Sequence, residues 1–438
     1  MSERVRPRQV LSLALPALGV LAAEPLYLLV DTAVVGHLGA VPLGGLALGG
    51  TLFTLVSTQL TFLSYGTTAR TARLHGAGRR REAVAEGAQA TWLGVLVGAV
   101  LLVLAQLLAV PLANALVGAG PVADAAARWV RIALLGAPMV LIAMAGHGWM
   151  RGVQDTARPF RFVLVGNGLS AVLCPVLVYA LGWGLEGSAV ANVVGQVTGA
   201  ALFVRALVTE RVPLRPDFRA MRKQLGVGRD LVLRSLAFQA CFLSATSVAA
   251  RFGAEAVAAH QVVWQLWTFL SLVLDSLAIA AQSLVGAALG GRSVDRAKGV
   301  AKQVTWYGLG FGVVLGVVFA ALAGVLPLAF TADEAVLAEI PHAWWFFAAL
   351  QPVAGIVFVL DGVFLGAGDA AFLRTATVAS AVVGYLPMIW LSLAGGWGLV
   401  GIWTGLSLFM LLRLITLALR ARSGRWAVLG DVPASARS

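Results

Sequence analysis

The sequence predicts an all-α membrane protein, twelve transmembrane helices in two six-helix bundles related by a pseudo-two-fold axis. Three observations carry this. The 438 residues are 59% hydrophobic and only 12% charged, with a mean hydropathy of +0.88, whereas soluble proteins carry about 25% charged residues. The apolar residues gather into twelve runs, each near the ~20 residues that cross a bilayer as a helix. The second half repeats landmarks of the first, so that Gly182 finds its match at Gly396.

The first six runs fall at roughly 10–35, 43–69, 88–112, 126–149, 160–181 and 186–208. The second six fall at roughly 228–252, 257–286, 302–328, 340–364, 373–394 and 399–420. The first run follows Arg4, Arg6 and Arg8, as a secretion signal would, but it continues past Val30 with no small-residue cleavage site. It reads as a retained span. Gly182, Trp183 and Gly184 between runs five and six suit a tight turn. The expected organisation is an N-lobe at 1–209, a cytoplasmic linker at 210–227, and a C-lobe at 228–438 ending in a short tail.

Charge sets the orientation. The chain carries a net +12, and its bases sit in alternate connections. Arg70, Arg73, Arg79, Arg80 and Arg81 follow the second run, Arg151, Arg158 and Arg161 the fourth, and a cluster from Arg205 to Arg229 the sixth. Arg292, Arg296, Lys298 and Lys302 follow the eighth, and Arg420, Arg422 and Arg425 the twelfth. The other connections are neutral or acidic. The positive-inside rule places both termini and the central linker in the cytoplasm. This pattern is an orientation signal rather than a nucleic-acid surface, and no nucleic-acid partner is expected. Cys174 and Cys241 both lie in apolar runs and offer neither a disulfide framework nor a metal cluster.

The repeat is specific. Gly182-Trp183-Gly184-Leu185-x-Gly187 returns as Gly396-Trp397-Gly398-Leu399-x-Gly401, and Gly152-x-x-Asp155 as Gly366-x-x-Asp369. Six spans per half give both halves the same orientation, so the axis runs along the membrane normal. Two such bundles enclose a cleft whose access can alternate, the plan of a secondary transporter. A membrane enzyme would need a catalytic cluster at one face. The short outer connections hold none, and no enzyme is expected.

Four acids lie within spans: Glu24, Asp31, Asp275 and Asp361. Each costs about 2.5–3.5 kcal/mol at the bilayer centre on insertion scales, so each must face a cavity, pair with a base, or be protonated. Asp275 and Asp361 lie toward the cytoplasmic side, at the depth of Arg234 and Arg413. Ion pairing is expected there, as a gate or a clamp. His147 stands where Asp361 stands in the other half. Glu24 and Asp31 are seven residues apart on one helical face, in the outer half, with no base at that depth. Burial without a partner favours the protonated carboxyl, as a proton carrier requires. Pro16 and Pro25 on the same span favour a kink. Trp264 and Trp267 could line a cavity for flat cations, and Trp344 and Trp345 are expected in an interfacial belt.

At these residues the sequence resembles the multidrug and toxic compound extrusion (MATE) family, in its DinF-like branch. The resemblance rests on Val30-Asp31-Thr32-Ala33-Val34-Val35-Gly36-His37-Leu38-Gly39, Ala258-Ala259-His260-Gln261, Asp275, and Leu360-Asp361-Gly362-Val363-Phe364-Leu365-Gly366. It implies a MATE-type fold and efflux of cationic or amphipathic compounds against inward H⁺ or Na⁺, with Asp31 as the coupling residue. One departure matters. Many relatives carry Asn-x-x-x-Asp on the fifth helix and Thr on the sixth, where this chain has Ser170, Cys174 and Asn192, with Asn167 a further polar neighbour. A thiol is a poor sodium ligand. Proton coupling is therefore expected, with Na⁺ possible, no cofactor, and Glu24 as a replacement acid. The alternative is a flippase for lipids or lipid-linked precursors, which calls for a basic cavity. Intramembrane acids that nearly match the bases count against it. A monomer in the cell inner (plasma) membrane is expected.

Overall fold

The computed structural model describes residues 6–429, so Arg4 lies outside the described residues. Among these, twelve helices are long and apolar enough to cross a membrane. They are α1 (Pro7–Gly36), α2 (Ala40–Gly76), α3 (Arg80–Val117), α4 (Pro121–Gly152), α5 (Ala157–Ala180) and α6 (Gly184–Thr209). The second set is α7 (Phe218–Arg251), α8 (Ala254–Gly290), α9 (Val294–Ala321), α10 (Pro341–Gly366), α11 (Ala370–Gly395) and α12 (Gly398–Ser423).

Several helices extend past their apolar runs, α3 and α9 each beginning eight residues early, at Arg80 and Val294; two other boundaries have a specific local cause. Helix α9 stops at Ala321, well short of 328. Gly324 weakens the helix there, and Pro327 has no N–H to continue it. The chain turns through a 3₁₀ segment, Leu326–Ala329, and a short helix, Glu334–Glu339. Asp333 Oδ1 caps the latter by accepting from the N–H groups of Ala335 at 2.9 Å and Val336 at 3.3 Å. Helix α7 begins at Phe218, so the second half of the expected linker is helical. Asp217 is its N-cap, accepting from Arg219 N at 2.8 Å. Met221 and Gln224 are buried on its inner side.

The remainder of the linker is strapped to α3. Trp92 Nε1 donates to Leu214 O at 2.7 Å, and Gln89 Nε2 donates to Arg215 O at 2.9 Å. Asp217 N donates back to Gln89 Oε1 at 2.6 Å. These bonds satisfy backbone groups that an irregular segment would otherwise leave open. Glu210, just past α6, accepts from Arg80 at 2.9 Å and lies 3.8 Å from Arg158. The bond from Arg80 and the two guanidinium charges hold its carboxyl below the usual range.

The chain divides into two compact units, one of Leu15–Gly228 and one of Arg229 onward with the residues up to Ala14. In the first, α4 packs against both α2 and α3; in the second, α10 packs against both α8 and α9. Glycine permits this closeness. A Cβ on Gly98 of α3 would lie 2.4 Å from Pro138 Cα of α4. At the matching positions, a Cβ on Gly312 of α9 would lie 2.9 Å from Pro352 Cα of α10. Two units thus repeat one small-residue contact.

The turns repeat as well. Asp155 N reaches back to Met150 O at 2.8 Å, and Asp369 N to Phe364 O at 2.9 Å. Arg79 N bonds Leu74 O at 2.9 Å, and Ser293 N bonds Ala288 O at 3.2 Å. Each is a helix stop whose preceding residue is left-handed, the position glycine favours. Glycine fills it at Gly78 and Gly368, but Arg292 (φ 57°) and Gln154 (φ 63°) hold the matching places. Arg292→Gly is therefore expected to stabilise the protein by about 1 kcal/mol. Thermal unfolding in detergent should show a raised midpoint; an unchanged or lowered one would count against this account of the turn.

Candidate functional site

In α1 a buried stripe runs through Val10, Leu13, Ala17, Val20, Tyr27, Asp31 and Val35, spaced by three, four or seven residues as one helical face requires. Pro16 and Pro25 both sit inside this helix, which is unbroken from Pro7 to Gly36. Neither has an N–H to offer the carbonyls of Ser12 and Leu21 four residues before.

Asp31 is fully buried, at 0% exposure. The Cys174 thiol of α5 donates to its Oδ1 at 3.4 Å, and Oδ2 has no hydrogen-bond partner within bonding distance among the described residues. Ser188 of α6 faces the same carboxyl and also accepts from Trp129 Nε1 at 3.2 Å. The Tyr27 hydroxyl, one turn below, lies among Asp31, Ser170, Cys174 and Asn192. It and the Ser170 hydroxyl are buried close to each other, neither with a well-formed hydrogen bond among the described residues. Asn192 Oδ1 accepts from Gln196 Nε2. The chain thus gathers several side-chain oxygens and one thiol around a carboxyl, and leaves three of those oxygens open. Such a group can take up a proton or a small cation.

Two expected members stand apart. Glu24 falls on the line of the stripe, between Val20 and Tyr27, yet it is exposed and makes no hydrogen bond or ion pair among the described residues. Asn167 is half-buried, one turn before Ser170, and bonds nothing among the described residues. Tyr27, Ser188 and Gln196 were not singled out in the sequence. Tyr27 precedes Asp31 by four residues and Gln196 follows Asn192 by four, the spacing that stacks side chains on a helix. That signal was available for both. Nothing in the sequence links Ser188 to Asp31.

The second unit has its own buried charge centre. Arg234 Nη2 of α7 donates to Asp361 Oδ2 of α10 at 2.7 Å, and Arg413 Nη2 of α12 donates to the same oxygen. Phe238 receives both guanidiniums on its ring, at 5.4 Å and 5.1 Å, and Phe409 also receives Arg413, at 5.6 Å. Asp275 is half-buried on α8. A further pair joins the half-buried Arg374 Nη1 to the buried Asp230 Oδ1 at 2.6 Å, with Asp230 at the start of the seventh run beside the basic linker.

The MatE family model matches residues 16–176 and again residues 231–390, two spans related by the offset that aligns the repeat. The chain belongs to the MatE family. It is 34% identical to the Arabidopsis thaliana chloroplastic Protein DETOXIFICATION 44, over 97% of this chain and 84% of that one. It is 32% identical to the DNA damage-inducible protein F of Escherichia coli, over 94% of this chain and 92% of that one. The bent form of the Vibrio cholerae MATE transporter VcmN superposes with a TM-score of 0.88 at 20% identity, covering 96% and 98% of the two chains. That likeness concerns the fold. MatE proteins are transporters, not enzymes, and this one is a multi-pass membrane protein.

In this MatE chain the expected cavity tryptophans pack within an aromatic cluster. Trp267 is buried with its ring 6.5 Å from that of Trp403. Trp264 is half-buried, 4.5 Å from Phe242 and stacked on His260 at 5.9 Å. Trp344 is buried, donating to Phe319 O at 2.9 Å, and is no belt residue, whereas Trp345 is exposed. The carbonyl of the preceding helix supplied a partner for its N–H, so burial cost it nothing in hydrogen bonding.

Proposed function

We propose that this MatE transporter exports cationic or amphipathic toxic compounds in exchange for inward H⁺, and that Asp31 is the group that loads the proton. The observation that carries the reading is the fully buried Asp31 carboxyl, faced by the Ser188 hydroxyl and the weak Cys174 thiol donor, with no base beside it among the described residues. A carboxylate in that place needs compensation that a thiol does not supply. A proton supplies it, and the neutral acid can then donate to the open Tyr27 or Ser170 hydroxyl. Na⁺ would require several oxygens already turned toward it, and Cys174 occupies one of those places. Protonation changes what α1 bonds to, and its missing backbone bonds at Pro16 and Pro25 let the helix bend in response. Glu24 is the exposed acid from which a proton reaches this helix. In this reading both termini face the cytoplasm across the inner membrane, the monomer is the working unit, and Asp361 with its arginines is a clamp or gate. The flippase reading wants free bases, and here Arg234 and Arg413 both bond Asp361.

The test is transport in proteoliposomes with a fluorescent organic cation such as ethidium. A pH gradient alone should drive its movement, and a Na⁺ gradient at fixed pH should not. Transport that requires Na⁺ at fixed pH would overturn the proton assignment.

A further inference from the structure

Within the first unit, an open groove of about 560 Å³ runs between α4 and α6. Met139 and Ile142 form one wall, Val197, Val204 and Val208 the other, and the small side chain of Ala201 leaves the trough between them. The lining is apolar except toward one end, where Arg205 and Thr209, the last residue of α6, stand one turn apart. From Val197 to Val208 the groove follows about 16 Å of helix, half of a ~30 Å hydrocarbon core. It therefore spans one leaflet, from mid-membrane to the interface, with its charge at the interface end.

Arg205 is exposed and makes no hydrogen bond or ion pair among the described residues. The nearest acid along the helix, Glu210, is already held by Arg80 and Arg158. We infer that this groove binds one acyl chain of an anionic phospholipid, with Arg205 on the lipid phosphate. An apolar trough of one leaflet's length fits the chain, and an unmatched guanidinium at headgroup level fits the phosphate. An organic cation would be repelled by Arg205, and a zwitterionic lipid carries no net charge for it to attract.

The experiment is native mass spectrometry of the full-length protein in detergent, offered equal amounts of phosphatidylglycerol and phosphatidylcholine with identical chains. Wild-type protein should retain phosphatidylglycerol with a roughly fivefold preference. Arg205→Gln should lose that preference while still retaining lipid. Val204→Trp, which fills the trough, should retain less of both lipids. Thermal unfolding in lipid-free detergent should be the same for all three, since both replaced side chains are exposed. A preference that survives in Arg205→Gln, or wild-type retention in Val204→Trp, would overturn the inference.

Discussion

Asp31→Asn is expected to reduce pH-driven export in proteoliposomes to the background of empty liposomes. Asparagine keeps the shape of the protonated acid but carries no exchangeable charge, so the site is held permanently in its neutral form. The same substitution should leave thermal stability within about 1 kcal/mol of wild type, because it removes a buried charge without removing volume. The joint result, folded protein without turnover, separates coupling from structure. Wild-type export rates in Asp31→Asn would remove Asp31 from the mechanism.

Asp361→Asn is expected to have the largest effect on stability. It leaves Arg234 and Arg413 close together beside Phe238 with no carboxylate to hold them. Removing one member of a buried charge network costs about 3–5 kcal/mol, because what remains is buried and uncompensated. The unfolding midpoint in detergent should fall sharply. Arg413, only 2% exposed, is the more costly of the two arginines to leave unmatched. The double variant Asp361→Asn with Arg413→Met should therefore recover part of the loss. A near-wild-type midpoint for Asp361→Asn, or no recovery in the double variant, would mean that the network is not what holds α7, α10 and α12 together.

The architecture was legible in the sequence because its determinants are local. Apolar run length specifies a span, and Gly-Trp-Gly at Gly182 and Gly396 specifies the same stop twice. Two boundaries were not legible for an equally local reason. Gly324 and Pro327 end α9 inside an apolar run, so hydropathy carried on where the backbone could not. Phe218 to Val227 reads as a basic linker by composition, while its helix depends on the Asp217 cap and on burial of Met221 and Gln224.

The site was legible in part. Asp31, Ser170 and Asn192 could be named because charge or polarity inside a span is conspicuous. Tyr27 was not, because a tyrosine in an apolar helix is ordinary until its hydroxyl is seen to have no partner. Glu24 and Asp31 differ for a reason that periodicity does not contain. Both lie on one line of α1, but which part of that line another helix covers is decided by α5 and α6, far away in sequence.

The strap between α6 and α7 bears on how the protein is made. The groups that fasten the strap, Leu214 O, Arg215 O and Asp217 N, all bond side chains that lie earlier in the chain, Trp92 and Gln89. A nascent polypeptide can therefore finish that fastening as soon as residue 217 leaves the ribosome, before any later span has been synthesised. The first six spans can be closed off at that edge during translation, and the insertion machinery then receives α7 from an anchored point rather than from a free tether.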